Sequence, residues 1–112
     1  MWIFSKCGFF SVVEDQYNNK NVKIRARLSE DIKELEALYK STIGKETKII
    51  KDVTADYLYR IIIPKAEWAE IAKVLTNEID YTNFKSRMHD KNNHKLDKAL
   101  AEIWQTMYSL QK

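Results

Sequence analysis

The sequence predicts an α+β fold. It is a two-layer sandwich of the ferredoxin-like kind, with an antiparallel sheet carrying helices on one face and an added C-terminal helix. Three observations lead there. Val22–Leu28 and Tyr57–Ile63 alternate in the two-residue period of a strand. Apolar residues recur at helical spacing after Ser29, after Pro64 and after Asn93. The strands gather in runs instead of alternating strictly with helices, which argues against a parallel sheet. The 112 residues, 45% of them apolar and 31% charged, suit one domain, 1–112, able to bury a core without disulfides.

The chain begins on its most apolar stretch, Trp2–Val13. It suits either one long strand bulged at Gly8 or a hairpin of Trp2–Ser5 and Phe9–Val13 turned at Lys6-Cys7-Gly8. Alternation places Trp2, Phe4, Phe10 and Val12 on one face and Ile3, Cys7, Phe9 and Val13 on the other, so both faces are expected to be covered. The polar stretch Glu14–Asn21 reads as a loop. In the next strand Val22, Ile24, Ala26 and Leu28 face the core, while Lys23, Arg25 and Arg27 form a basic outer face.

Ser29 is the expected N-cap of a helix over 30–43. Its stripe is Ile32, Leu35, Leu38 and Tyr39, and Gly44 is its natural stop. Thr47–Val53 is expected as a third strand and Tyr57–Ile63 as a fourth, with Tyr57, Tyr59, Ile61 and Ile63 on one side and Leu58, Arg60 and Ile62 on the other. Pro64 suits the first position of the next helix, 65–79, whose stripe is Trp68, Ile71, Ala72, Leu75 and Ile79. Asp80–Lys85 turns into a short helix ending near His89, and Asp90–Asn93 breaks again. A last helix follows, carrying Leu96, Ala99, Leu100, Ile103, Trp104, Met107 and Leu110. A helix this apolar must dock on its own sheet or on another copy.

Several clusters stand out beyond their local roles: Trp2-Ile3-Phe4 with Gly8-Phe9-Phe10-Ser11-Val12-Val13; Arg25-Ala26-Arg27; Asp56-Tyr57 with Tyr59-Arg60; Trp68; Asp80-Tyr81 with Asn83-Phe84-Lys85; and Trp104 with Met107-Tyr108 and Leu110-Gln111. With these residues the chain resembles a family of short bacterial proteins of unknown function, over nearly its whole length. The resemblance implies no activity, substrate or cofactor.

Two groups of residues are candidates for binding. Arg25 and Arg27 share a strand face that Arg60 can join, with Tyr17 and Lys6 as possible borders. Arginines and rings on an open sheet can hold single-stranded RNA, guanidinium on phosphate and ring under base. The sequence lacks the basic-Gly-aromatic signature of an RNA-recognition motif, and a solvated strand face is the simpler reading. The second group is Asp80, Tyr81, Asn83 and Lys85, polar groups within six residues that could line a ligand pocket, with Arg87 extending it into a basic segment. The simpler reading there is a turn in which Asp80 or Thr82 caps the next helix.

His89 and His94 lie five apart across a break, the wrong spacing for a metal, and read as solvated. Cys7, the one cysteine, reads as a buried thiol. Two glycines exclude a glycine-rich phosphate cradle, and no nucleophile elbow or zinc spacing occurs. The charge of +3 is too mild to require nucleic acid.

The opening run lacks a basic start and a small-residue cleavage site, and it is too short to span a bilayer, so a soluble, cytoplasmic protein is expected. The leading expectation is a small interaction module without catalytic machinery, cofactor or metal, acting through a protein or homo-oligomer interface, a homodimer first. A nucleic-acid-binding module is the alternative. A metal-independent nuclease, pairing Arg or Lys with Tyr or His, is the third.

Overall fold

The computed structural model describes residues 1–111. They form two compact units, one spanning Met1–Ile79 and a second beginning at Asp80. The first unit contains β1 (Trp2–Ser5), β2 (Gly8–Asp15), β3 (Asn18–Ala26), α1 (Ser29–Ile43), β4 (Ile50–Lys51), β5 (Tyr59–Pro64) and α2 (Lys65–Asn77). All strand pairs are antiparallel, in the order β1-β2-β3-β5-β4. The architecture is α+β, as expected. The ferredoxin-like likeness is loose, because β1, β2 and β3 form a sequential meander and not a split β-α-β.

The opening stretch is a hairpin, with Ser5 opposite Gly8 across a two-residue turn. The Cys7 N–H donates to Ser5 Oγ at 3.2 Å, and that hydroxyl donates to the Gly8 carbonyl at 3.2 Å. This corrects the face assignment. Partners across the turn pair odd with even, Ile3 with Phe10 and Phe4 with Phe9, so alternation changes parity at the turn. Ile3, Phe10 and Val12 face the helices, while Trp2, Phe4, Phe9 and Val13 face away from them.

Glu14–Asn21 is not a loop. β2 and β3 run on through it to Asp15 opposite Asn18, with a register irregularity between Glu14 and Asp15. Its polar composition reflects exposure at the tip of a hairpin whose backbone ladder continues. The third strand shrinks from Thr47–Val53 to Ile50–Lys51, an edge strand with both residues exposed. A short edge strand is one way a sheet limits further pairing.

One core joins Phe10, Val12, Val22, Ile24, Ala26, Ile61 and Ile63 of the sheet to Ile32, Leu35 and Tyr39 of α1 and Trp68, Ile71 and Leu75 of α2. Both helices therefore cover one face of the sheet. They are pinned together where the buried Tyr39 hydroxyl donates to Glu67 Oε1 at 2.6 Å and Lys45 Nζ reaches Glu67 Oε2 at 3.1 Å. Burial, reinforced by Glu67, pushes the Tyr39 phenol up to about 12. The bond from Tyr39, with Lys45 assisting, holds the Glu67 carboxyl below its usual range.

Helix ends differ in detail from expectation. Leu28, extended at φ −99° and ψ 137°, occupies the N-cap of α1 without a side-chain bond, and Ser29 is already helical. Of the two acids in the first turn, Glu30 and Asp31, Asp31 is buried and accepts from the Phe9 N–H at 3.2 Å. Gly44 closes α1 at φ +79°, its N–H donating to the Lys40 carbonyl at 2.9 Å. Pro64 ends β5 and stands at the N-cap of α2, so helix begins at Lys65, and α2 stops at Asn77.

The second unit comprises α3 (Phe84–His89), α4 (His94–Tyr108) and a 3-10 turn, Ser109–Gln111. Asn83 and Asn93 cap the two helices, accepting from the N–H groups of Ser86 and Leu96 at 3.0 Å each. Asn83 thus does the capping expected of Asp80 or Thr82, because α3 starts at Phe84 and the N-cap position falls on Asn83. Among the described residues no helix is long and apolar enough to cross a membrane.

Candidate functional site

The face of the sheet opposite α1 and α2 collects the arginines of the first unit and four of its nine aromatic rings, Trp2, Phe4, Phe9 and Tyr57. Register places Trp2, Ser11, Arg25, Arg60 and Ile50 in one row across all five strands. Phe4 and Phe9 make a neighbouring pair, their rings stacked at 4.4 Å, with Trp2 edge-on to Phe9 at 5.8 Å. Trp2 is 71% exposed.

Tyr57 is the hub. It precedes β5 and, contrary to the face expected from alternation, lies on this outer side, its ring 6.4 Å from that of Phe9. Alternation failed because residues 56–58 are not in the strand, so the period of two has no hold there. The guanidinium carbons of Arg25 and Arg27 stand 4.7 and 4.0 Å from the centre of its ring. Arg60 Nη2 donates to its carbonyl oxygen at 2.8 Å. Under these contacts Tyr57 is only 3% exposed.

These charges are held by neutral partners. Arg25 and Arg60 are directly opposed across β3 and β5, where like charges disfavour pairing. Arg25 Nη2 donates to the buried Ser11 hydroxyl at 2.7 Å, a neutral acceptor. The Nε of both Arg25 and Arg60 is buried without a hydrogen-bond partner. Among the described residues no carboxylate forms an ion pair with Arg25, Arg27 or Arg60. Asp52 is the nearby acid. The Thr54 hydroxyl at 2.6 Å and N–H at 3.0 Å hold its carboxyl below the usual range, with Arg60 and Lys23 contributing from farther off.

The arrangement unites Arg25, Arg27 and Arg60. It adds Trp2, Phe4, Phe9, Ser11 and Tyr57, which the reading of the sequence had left in the core or unassigned. The pairing sum across a two-residue turn was the available signal for the hairpin rings. No local signal marked Tyr57. Lys6 does not border this face; it lines a shallow groove with Cys7, Glu34 and Leu38, because the turn that carries it leans to the helix side. Tyr17 sits exposed in the β2–β3 turn.

The other candidates belong to the second unit. The Tyr81 ring lies 5.9 Å from that of Phe84, and Asn83 is engaged as a cap. Lys85 Nζ stands 4.3 Å from the Trp104 ring centre, and Arg87 pairs with Asp90 at 3.5 Å. Asp80 precedes α3. His89 Nδ1 lies 2.8 Å from Asp97 Oδ2.

The fold and this face define a small α+β domain with an aromatic, arginine-bearing sheet surface. Compared with family models, with curated proteins and with solved structures, the chain matches none.

Proposed function

We propose that the outer sheet face binds single-stranded nucleic acid. The observation that carries this is the set of three arginines around Tyr57 with no carboxylate partner. Guanidinium groups held by a neutral hydroxyl, a carbonyl and a ring keep their charge for an external anion, and phosphate is the anion that their planar fork suits best. The neighbouring exposed Trp2 offers a π-face for a base, a contact that tolerates any sequence. A sheet that presents rings and arginines side by side is a known platform for unpaired nucleotides, whose bases can splay onto it.

Fluorescence anisotropy with a labelled, mixed-sequence single-stranded RNA tests this. Binding is expected to weaken steeply as salt rises from about 50 to about 200 mM. Arg27→Ala, at an exposed position, should lower the slope against log salt by about one. Trp2→Ala should weaken binding roughly 5- to 150-fold, the equivalent of about 1–3 kcal/mol for one stacked base. RNA that stays unbound at about 50 mM salt, or binding that both substitutions leave intact, rules the reading out.

A further inference from the structure

The last helix and the 3-10 turn after it carry an apolar surface of which the rest of the unit uses only part, with Lys85 Nζ of α3 standing 4.3 Å from the Trp104 ring centre. Leu96, Leu100, Ile103, Met107 and Leu110 are spaced four, three, four and three residues apart, the repeat that keeps one seam facing a partner helix. The first part of this seam is occupied, with Leu100 buried and α3 packed against α4. The second part is open. Ile103, Trp104, Met107, Tyr108 and Leu110 are 42 to 72% exposed. Trp104 and Tyr108, one turn apart, stack at 5.1 Å and 9° and make a flat wall beside the seam.

We propose that this C-terminal half of α4 is a self-association surface, paired across a two-fold axis with the same segment of a second copy. Charge favours a like partner. Between Ala99 and Gln111 the only charged residue is Glu102, which lies off the seam with its carboxylate 3.9 Å from Lys98 of the same helix. The positions of the helix and turn that flank the seam, Ala99, Trp104, Thr106 and Gln111, are neutral, and the Lys85 ammonium of α3 lies against the Trp104 ring at its edge. A two-fold pairing sets a surface against itself, so a neutral seam meets no repulsion, whereas a surface built for a charged partner would carry the complementary charges. Area agrees. The five exposed side chains offer roughly 500 Å² per copy, so a pair buries about 1,000 Å², the lower edge of specific interfaces and enough for a reversible dimer. Such a dimer carries two arginine–aromatic faces, and a long strand that reaches both gains avidity.

Light scattering behind size exclusion, on the full chain over a concentration series, reads this directly. The expected mass rises from the 13.3 kDa of one chain to twice that at about 100 µM. Met107→Glu should hold the protein at the single-chain mass throughout with an unchanged far-ultraviolet circular dichroism spectrum. Gln105→Glu, on the opposite side of α4, should leave the dimer in place. Under mild air oxidation Met107→Cys should form an intermolecular disulfide faster than Gln105→Cys. A single-chain mass at about 100 µM overturns the proposal, and so does a dimer that survives Met107→Glu or a larger assembly.

Discussion

Replacing Gly8 by alanine should damage this protein more than any other one-carbon change at its surface hairpin. Gly8 has φ +143°, a region that residues with a Cβ rarely adopt, at a cost of about 1–3 kcal/mol. A Cβ there would also meet the side chain of Asp31, with Oδ1 at 2.5 Å and Cβ at 2.7 Å. Asp31 cannot swing away cheaply, because it is buried and accepts from the Phe9 N–H at 3.2 Å. Displacing it leaves a part-buried N–H and a carboxylate short of a partner, about 1–3 kcal/mol more. The sum, about 2–6 kcal/mol, is a large share of the ~5–15 kcal/mol that hold a domain folded. Urea unfolding followed by tryptophan fluorescence gives the loss. A double-mutant cycle separates the two parts: Asp31→Ala removes the carboxylate, which is both the nearer obstacle and the Phe9 acceptor, and leaves the Cβ contact at 2.7 Å, so Gly8→Ala should cost about 1 kcal/mol less on that background. A loss under about 1 kcal/mol in the single variant, or additive costs in the cycle, would refute the claim that the hairpin is wedged against α1 at this point.

Two further outcomes follow from particular contacts. Tyr39 ionises at about 12 in the folded chain against an ordinary 10.0, so its contribution is complete below the unfolded value and disappears as pH climbs through the folded one. Wild type should therefore lose roughly 2 kcal/mol in urea titrations between pH about 9 and about 12, and Tyr39→Phe should lack that alkaline limb. At the acid end the depressed Glu67 carboxyl contributes above its ordinary range and stops doing so as pH falls through its folded value. Removing the Tyr39 hydroxyl removes the main cause of that depression, so the acid loss should shrink as well. Asn93→Ala should cost about 1 kcal/mol of α4 stability, visible as roughly fivefold faster amide exchange at Leu96 while the exchange of Ile24 in the sheet is unchanged.

Much of the architecture was legible in the chain because it rests on period. The three- and four-residue spacing of Ile32, Leu35 and Tyr39, and of Trp68, Ile71 and Leu75, marks α1 and α2 through the stripe each buries. The alternation of Val22, Ile24 and Ala26 against Lys23 and Arg25 identifies β3 and its basic side. Gly44 announces the end of α1 because an αL residue is needed there. The polar run around Asn18 hid a hairpin because backbone pairing requires no apolar side chains. Tyr57 could not be assigned to a face because it stands outside any repeat.

The sequence by itself determined the class of the fold, the helices and their buried stripes, and the presence of arginines on one side of β3. These follow from residue-to-residue periodicity, which acts over one or two turns or a few strand positions. Only the tertiary structure decided that Trp2, Phe4, Phe9 and Tyr57 share that side with Arg25, Arg27 and Arg60. That depends on a turn length that switches parity between β1 and β2. It depends also on a register that sets residues 25 and 60 opposite each other across a long connection. Such pairings are settled by burying the other face of the sheet under α1 and α2, where a slip of one residue would turn the core outward. The side chains on the outer face are carried to their positions by that choice, and no local pattern among them records it.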